Sequence, residues 1–347
     1  MLVGLTPIAK PLPDEWFVDH GHNAEMRWEA MADTGYLVPT ERFFVRNHTR
    51  TPAIDRATWR LHVRGPGVAR ELSLSLADLE RLPSHGLPAL IECAGSGGRD
   101  LFASQQRMPV EGTPWKLGGI GAAHWRGVPL AEVLDRAGIS RAAVDVMAHG
   151  LDDPYLDQGS VRRPLPAGKA LDDVLIALEM NGAELPLDHG FPARLVVPGW
   201  VGVASIKWLG ALEVSLTPLQ SPWNTRWYRG LSVQPVKSAF ELAWDAVLPA
   251  GRCTTLTGRA WSGHAPIARV EVSTDGGATW RSARLRGPNL PHVWTRWELE
   301  WTPPEGRHEL LARATDRTGL TQPDTVPPNE GGYQFWAVVR HPVTATR

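Results

Sequence analysis

The texture of the chain changes near residue 233, and that change does most to restrict the folds open to it. Beyond this point short runs alternate apolar and polar residues: Thr255 to Arg259, Arg269 to Ser273, Thr279 to Ala283, Trp294 to Trp301 and Glu309 to Ala314, separated by Gly, Pro and Asp. A period of two puts one face of a strand in a core and the other in water, so this spacing predicts an antiparallel, immunoglobulin-like β-sandwich over 233–347. Asp275-Gly276-Gly277 is a hairpin signal, because glycine tolerates the positive φ of tight turns.

Residues 1–232 mix helical and strand patterns, which makes the whole chain α+β with two units, 1–232 and 233–347. The 347 residues suffice for two cores. Prolines at 7, 11, 13 and 39 mark residues 1–40 as an irregular segment wrapping another surface. Glu41 to His48 reads as a short apolar strand ending in Arg46, Asn47 and His48, which can bind an anion or a polar heterocycle, or simply turn in solvent. Trp59 to Arg64 reads as a half-buried strand with His62 structural. Ser75 to Leu82 reads as a helix that Ser75 caps, with Asp78 three residues on. Gly127 to Gly138 reads as a helix with a glycine stop, and Val144 to Ala148 as a strand.

Chemistry concentrates in two stretches. In the first, Glu92 to Asp100, Cys93 lies where the apolar run Leu87–Ile91 meets a glycine-rich turn with Arg99 nearby. A lone cysteine is commonly a small buried hydrophobe, yet glycines allow close backbone approach to a ligand and an arginine favours a thiolate. In the second, residues 179–210, two strands are expected at Ala193–Pro198 and Ser205–Leu209. His189, Arg194, Ser205 and Lys207 fall near their ends, so they can converge on one anionic group or serve as ordinary turn residues.

Composition excludes more than it proves. Thirty-six basic against 37 acidic residues leave a net charge of −1 without a basic run, which argues against nucleic-acid or membrane-surface binding. Cys93 and Cys253 offer no C-x-x-C pair, and a bridge between them would have to join the two units; Cys253 reads as structural. The 16 tryptophans outnumber the four tyrosines, so some indoles are expected at pockets or interfaces. Dinucleotide, P-loop, H-E-x-x-H and C-x-x-C-H signatures are missing, and His20 and His22 form an H-x-H pair without sequence-near partners. No window reaches 18 apolar residues. The amino terminus lacks signal-peptide features, which points to the cytoplasm if Met1 is the native start and allows the periplasm if the chain was trimmed.

FFVRNH at 43–48, ECAG at 92–95, EMNG…DHGFPARLVVPG…SIKWLG across 179–210, and AWSG, STDGGATW and QPDTVPPN in the carboxy-terminal unit occur in one order. Together they make the chain resemble the sulfite oxidase family of molybdenum-cofactor oxidoreductases from about residue 36 onward. The resemblance implies a molybdopterin-binding domain followed by a β-sandwich dimerisation domain, hence a homodimer, without the family's haem-binding domain. It implies that Cys93 is the thiolate ligand of molybdenum, a soft donor for a soft centre. Arg46, Asn47 and His48 would lie beside the cofactor, with Asp152, His189, Arg194, Ser205 and Lys207 at pterin and phosphate positions. Arg46, Tyr228 and Arg99 would face a small oxyanion, Trp115 would line the same pocket, and Arg296 is the candidate for a further substrate arginine.

The chain departs from the family at Ser96-Gly97-Gly98, where sulfite oxidases carry an asparagine and two arginines. The resemblance implies two-electron oxygen-atom transfer, oxidising sulfite or a related sulfur oxyanion and passing electrons to an external acceptor such as a cytochrome; the departure bears on which oxyanion is the substrate. Reduction of an S-oxide or N-oxide on the same cofactor, and a cofactor-free binding protein keeping the fold, are the alternatives.

Overall fold

The computed structural model describes residues 7–347. Three sheets build the part before residue 233. A small antiparallel sheet joins Phe17–Asp19, Asn23–Met26 and Val45–Arg46. The amino-terminal segment is thus partly ordered into strands rather than irregular throughout, because Phe17, Ala24 and Met26 are apolar enough to be buried as strand residues. The expected strand over 41–48 shrinks to Val45–Arg46, preceded by a 3-10 turn at Thr40–Arg42.

The second sheet orders Ala183–Glu184, Leu175–Met180, Ile120–Pro129 and His85–Glu92, with Arg194–Val196 added alongside Leu175–Met180. Its inner strands are nearly continuous apolar runs, as expected of strands covered on both faces. The third orders Leu72–Leu74, Leu61–Arg64, Leu209–Ser215, Asp145–Gly150 and Arg162–Pro166. Leu61 and Val63 point into its core while His62 and Arg64 are exposed, which reproduces the alternation expected there.

Helices are short and follow local rules. Ser75 accepts from the Asp78 amide while the Asp78 carboxylate accepts from the Ser75 amide, a reciprocal cap on Leu76–Glu80. Leu130–Ala137 buries Leu130, Val133, Leu134 and Ala137, one face at helical spacing, and stops at Gly138 with φ 70°. The expected helix was longer, but residues 127–129 belong to the preceding strand. A Cβ at Gly127 would meet the carbonyl oxygen of Ile176 at 2.0 Å, so close strand pairing decides against helix there.

Beyond 233 two sheets face each other. One orders Lys237–Phe240, Thr254–Trp261, Thr295–Trp301 and Arg284–Arg286; the other orders Ala246–Pro249, Arg340–Thr346, Gly306–Asp316, Ile267–Ser273 and Arg281–Ser282. The Asp275-Gly276-Gly277 turn connects the antiparallel pair Ile267–Ser273 and Arg281–Ser282. Cys253 is a free, exposed thiol rather than a structural one, because it falls in the turn before Thr254–Trp261. One apolar core crosses the boundary between the two parts, packing Met26, Trp28 and Met31 with Trp261, Trp294 and Phe335. Among the described residues no helix is long and apolar enough to cross a membrane.

Candidate active site

The strand His85–Glu92 delivers Cys93 into a turn whose amides fold back on it. The Cys93 amide donates to Gly119 O at 2.8 Å, the Ser96 amide donates to Cys93 O at 2.9 Å, and the Gly95 amide approaches Sγ at 3.4 Å. Space at Gly119 is tight: a Cβ there would sit 3.0 Å from the Trp115 ring and 3.4 Å from Cys93 Cβ. Trp115 therefore packs behind the cysteine and beneath the turn, touching His20 and Phe44, instead of lining the pocket as expected.

In front of Cys93 opens a cavity of about 750 Å³ including its mouth. Arg46, Asn47, His48, Cys93, Asp152, His189, Arg194, Ser205, Lys207 and Tyr228 all line it. The small amino-terminal sheet contributes Arg46. The Leu187–His189 turn contributes the imidazole of His189, and the strand Arg194–Val196 contributes the cation Arg194. The expected strand Ser205–Leu209 is instead a turn that follows Gly202–Ala204, and Leu209 begins the next strand. That turn lets Ser205 Oγ accept the Val197 amide at 3.1 Å while Lys207 reaches the cavity.

Two aspartates, Asp152 and Asp188, also line this cavity, but the cations in it make no direct ion pair with either. Arg194, 4% exposed, donates only to the carbonyls of His189, Ser205 and Leu195 at 2.9, 3.0 and 3.3 Å. Lys207 donates to Asp188 O at 2.8 Å and to the Asn47 side-chain oxygen. Arg46 donates to Asn23 Oδ1 at 3.1 Å, to Tyr228 Oη at 3.3 Å and to Asn47 O. Neither Arg46, Arg194 nor Lys207 forms an ion pair among the described residues, although buried cations elsewhere do.

Titration reflects this. Burial pulls Arg194 down to about 9 and Lys207 well below the usual lysine range, the latter aided by Arg194. Burial, with Arg46 and Lys207 nearby, keeps His48 neutral, and burial with Lys10, Lys207 and Arg194 does the same for His189. His189, which lines the cavity, has a buried Nε2 without a hydrogen-bond partner. Burial raises the Cys93 thiol although Arg46 opposes it, and burial raises Asp152, which accepts the Val161 amide at 3.0 Å. On Arg46 burial is outweighed by Tyr228 and Cys93, which hold it above its ordinary value.

Tyr228 Oη also shares a 3.2 Å hydrogen bond with His48 Nε2. Its backbone sits at φ 53° and that of Trp208 at φ 52°, a left-handed conformation that costs a non-glycine residue energy and is held by the surroundings. Outside Tyr228 a wider cleft takes in His20, His22, Arg99, Trp223, Trp227 and Tyr333. Arg99 thus stands at the outer mouth, 6.0 Å from the Tyr333 ring, donating weakly to Thr113 O at 3.4 Å with its Nε unpartnered. His20 leans on Glu25 at 3.2 Å. Arg296 does not join the site; it pairs with Glu241 at 2.9 Å inside the β-sandwich unit, because Glu241 lies buried against its strand.

Two residues escaped the sequence reading. Asp188, 1% exposed, accepts the amides of Ala9 and Lys10 at 2.9 and 2.7 Å and fastens the amino-terminal segment against the cavity wall. The acid was visible in the Asp188-His189-Gly190 turn, but nothing in sequence joined it to residues 9 and 10. Tyr333 stacks on Tyr228 at 4.6 Å from more than a hundred residues away, and no local signal could have found it.

The cavity, set in a mixed domain that leads into a β-sandwich, offers cations, a neutral imidazole and one thiol to an anionic ligand. Residues 48–223 match the oxidoreductase molybdopterin binding domain, and residues 233–338 match the Mo-co oxidoreductase dimerisation domain. The chain is 40% identical to chicken (Gallus gallus) sulfite oxidase over 339 residues, covering 88% of this chain and 72% of that one. With mouse (Mus musculus) mitochondrial sulfite oxidase it shares 37% identity, covering 88% of this chain and 60% of that enzyme. Among solved structures, the sulfane dehydrogenase SoxCD from Paracoccus pantotrophus superposes with a TM-score of 0.83 at 29% identity, covering 97% of this chain and 90% of that one.

The chain belongs to the sulfite oxidase family of molybdopterin oxidoreductases. Its cofactor is the molybdenum cofactor, and the cavity fits that group: unpaired cations suit its phosphate, the free His189 nitrogen suits a polar heterocycle, and a thiol lies at the wall.

Proposed function

We propose that the chain oxidises sulfite or a related sulfur oxyanion, with Cys93 as the ligand of molybdenum. The supporting observation is the cavity itself, where Cys93 shares a wall with Arg46, Arg194 and Lys207, none of which forms a direct ion pair among the described residues. Arg194, Lys207, His189, Ser205, Asn47 and Asp152 hold the pterin and its phosphate, and buried hydrogen bonds to charged donors give such anchoring its strength. When bound, the cofactor supplies the two-electron redox chemistry, cycling between Mo(VI) and Mo(IV).

The remaining residues bind and orient. Arg46 and Tyr228 face the oxyanion, and Arg99 at the mouth draws it in. His48, neutral, accepts the Tyr228 hydroxyl proton in a hydrogen bond, leaving the oxygen free to accept from Arg46. The overall conversion, sulfite plus water to sulfate with two protons and two electrons, sends its electrons to an external acceptor such as a cytochrome. Residues 1–232 form the catalytic unit, and residues 233–347 pair two copies into a homodimer.

The test is protein made in a cofactor-competent host, analysed for molybdenum and pterin and assayed with sulfite and separately with sulfoxides. Bound molybdenum with sulfite turnover is expected, and Cys93→Ser should abolish that turnover while changing the molybdenum spectrum. A Cys93→Ser protein with full activity would show that another group is the ligand. Sulfoxide reduction without sulfite oxidation would reverse the direction assigned here.

A further inference from the structure

The Cys93 loop has a second side. Away from the large cavity it meets the sandwich unit, and there its polar groups are gripped at three points. Lys237, 3% exposed, places Nζ 2.5 Å from Glu92 Oε1 and 3.2 Å from Ser96 O. Trp261 Nε1 donates to the other Glu92 oxygen at 3.0 Å. The Gln334 amide donates to Ala94 O at 2.6 Å. These bonds fall on the residue before the thiol, the one after it and the third one after it. A small void of about 210 Å³ is lined by Cys93 together with Glu92, Ala94, Lys237 and Gln234.

We propose that Lys237 and Trp261 are positioning residues for Cys93, fixing the direction of its Sγ from the sandwich unit through Glu92 and Ser96. The inference rests on the reading of Cys93 as the molybdenum ligand. Packing leaves the thiol little other support on that side: Trp115 and Gly119 block it from below, while the Gly95 amide at 3.4 Å is a weak partner. A ligand's orientation is set by the groups that hold it, and removing such groups alters the electronics and affinity of the metal they support. The sandwich unit is thereby part of the metal site's geometry, although it contributes no atom to the large cavity.

Two variants of the full chain test this. Trp261→Phe deletes one hydrogen bond and keeps most of the ring's volume; Lys237→Gln keeps a donor and removes the charge. In the holoenzyme both should retain molybdenum, shift the Mo(V) paramagnetic resonance signal and lower kcat by about tenfold with KM little changed. In cofactor-free protein carrying Cys253→Ser, both should speed alkylation of Cys93, since the loop is then freer. A Mo(V) signal, kcat and alkylation rate all unchanged in Trp261→Phe would overturn the proposal, and that variant decides alone if Lys237→Gln fails to fold. Failure of the ligand assignment looks different: the molybdenum spectrum would ignore Cys93→Ser, while the alkylation rates would still respond to the grip.

Discussion

Two regions of the molecule bury positive charge, and they treat it in opposite ways. At the joint between the units, Arg259 is fully buried and pairs with the equally buried Glu241 at 2.6 Å, which also takes Arg296 at 2.9 Å. Lys237 and Glu92 repeat the pattern. In the cavity, Arg194 has carbonyls and the Trp125 ring 4.9 Å away, but no carboxylate. Burial lowers both arginines, Arg259 to about 10 with Glu241 pushing back, Arg194 to about 9 with nothing opposing. A buried cation with a carboxylate is a strut of the fold. One left with dipoles only carries a cost that a bound anion would remove, so the missing partner marks the ligand site more clearly than the charge itself.

The sharpest way to break this contrast is to unpair the joint. Glu241→Ala strands two arginines and should lower the unfolding free energy by about 3–5 kcal/mol, read by urea denaturation of the cofactor-free protein. A loss below about 1 kcal/mol would mean that the joint's pairing contributes no more than a surface bridge does.

The matching change in the cavity should behave differently. Lys207→Met loses two hydrogen bonds but also removes an unpaired charge, so the stability of the cofactor-free protein should move by no more than about 1 kcal/mol. Cofactor affinity should fall by about 1.5–3 kcal/mol, tenfold or more, seen as lower molybdenum content after dialysis. If the cofactor-free variant instead lost as much stability as Glu241→Ala, Lys207 would be a strut too.

The same contrast explains what could be read in the sequence. Cys93, Asp152 and Tyr228 apart, the cavity's polar residues lie in short stretches, 46–48, 188–194 and 205–207, because each turn presents several side chains to one ligand, and local pattern is what a sequence displays. The joint is assembled from pairs such as Glu92 with Lys237, 145 positions apart, and Arg259 with Thr34, 225 apart. Neither member of such a pair stands out from surface charge along the chain, so nothing local marked Arg296, suggested by the resemblance, as a partner of Glu241. Alternation located the sandwich, and capping chemistry located the helix after Ser75. Ser205 to Leu209 misled for a physical reason: apolar residues alternate there, but Ile206 and Trp208 are buried beneath a turn rather than along a strand.

The smallest effect, and the most selective, is in pH. His48 and His189 stay neutral in the folded protein well below the ordinary histidine range, held there by burial first and neighbouring cations second. The unfolded chain takes up protons at these positions near pH 6.5 and the folded chain does not. The unfolded state therefore binds more protons below that pH, and stability must fall as pH drops. Each such histidine contributes a slope of up to about 1.4 kcal/mol per pH unit. Other groups titrate in the same window, so the measurement is a difference: urea denaturation of cofactor-free protein between pH 7.5 and pH 5, wild type against His189→Gln, which should remove one such slope. Arg259, lowered only to about 10, stays charged throughout this range and adds nothing. A bound phosphate would favour the protonated ring, so the slope should flatten in the holoenzyme. An equal slope in wild type and His189→Gln would mean that the ring is not held neutral and that its unpartnered nitrogen is not waiting for a ligand.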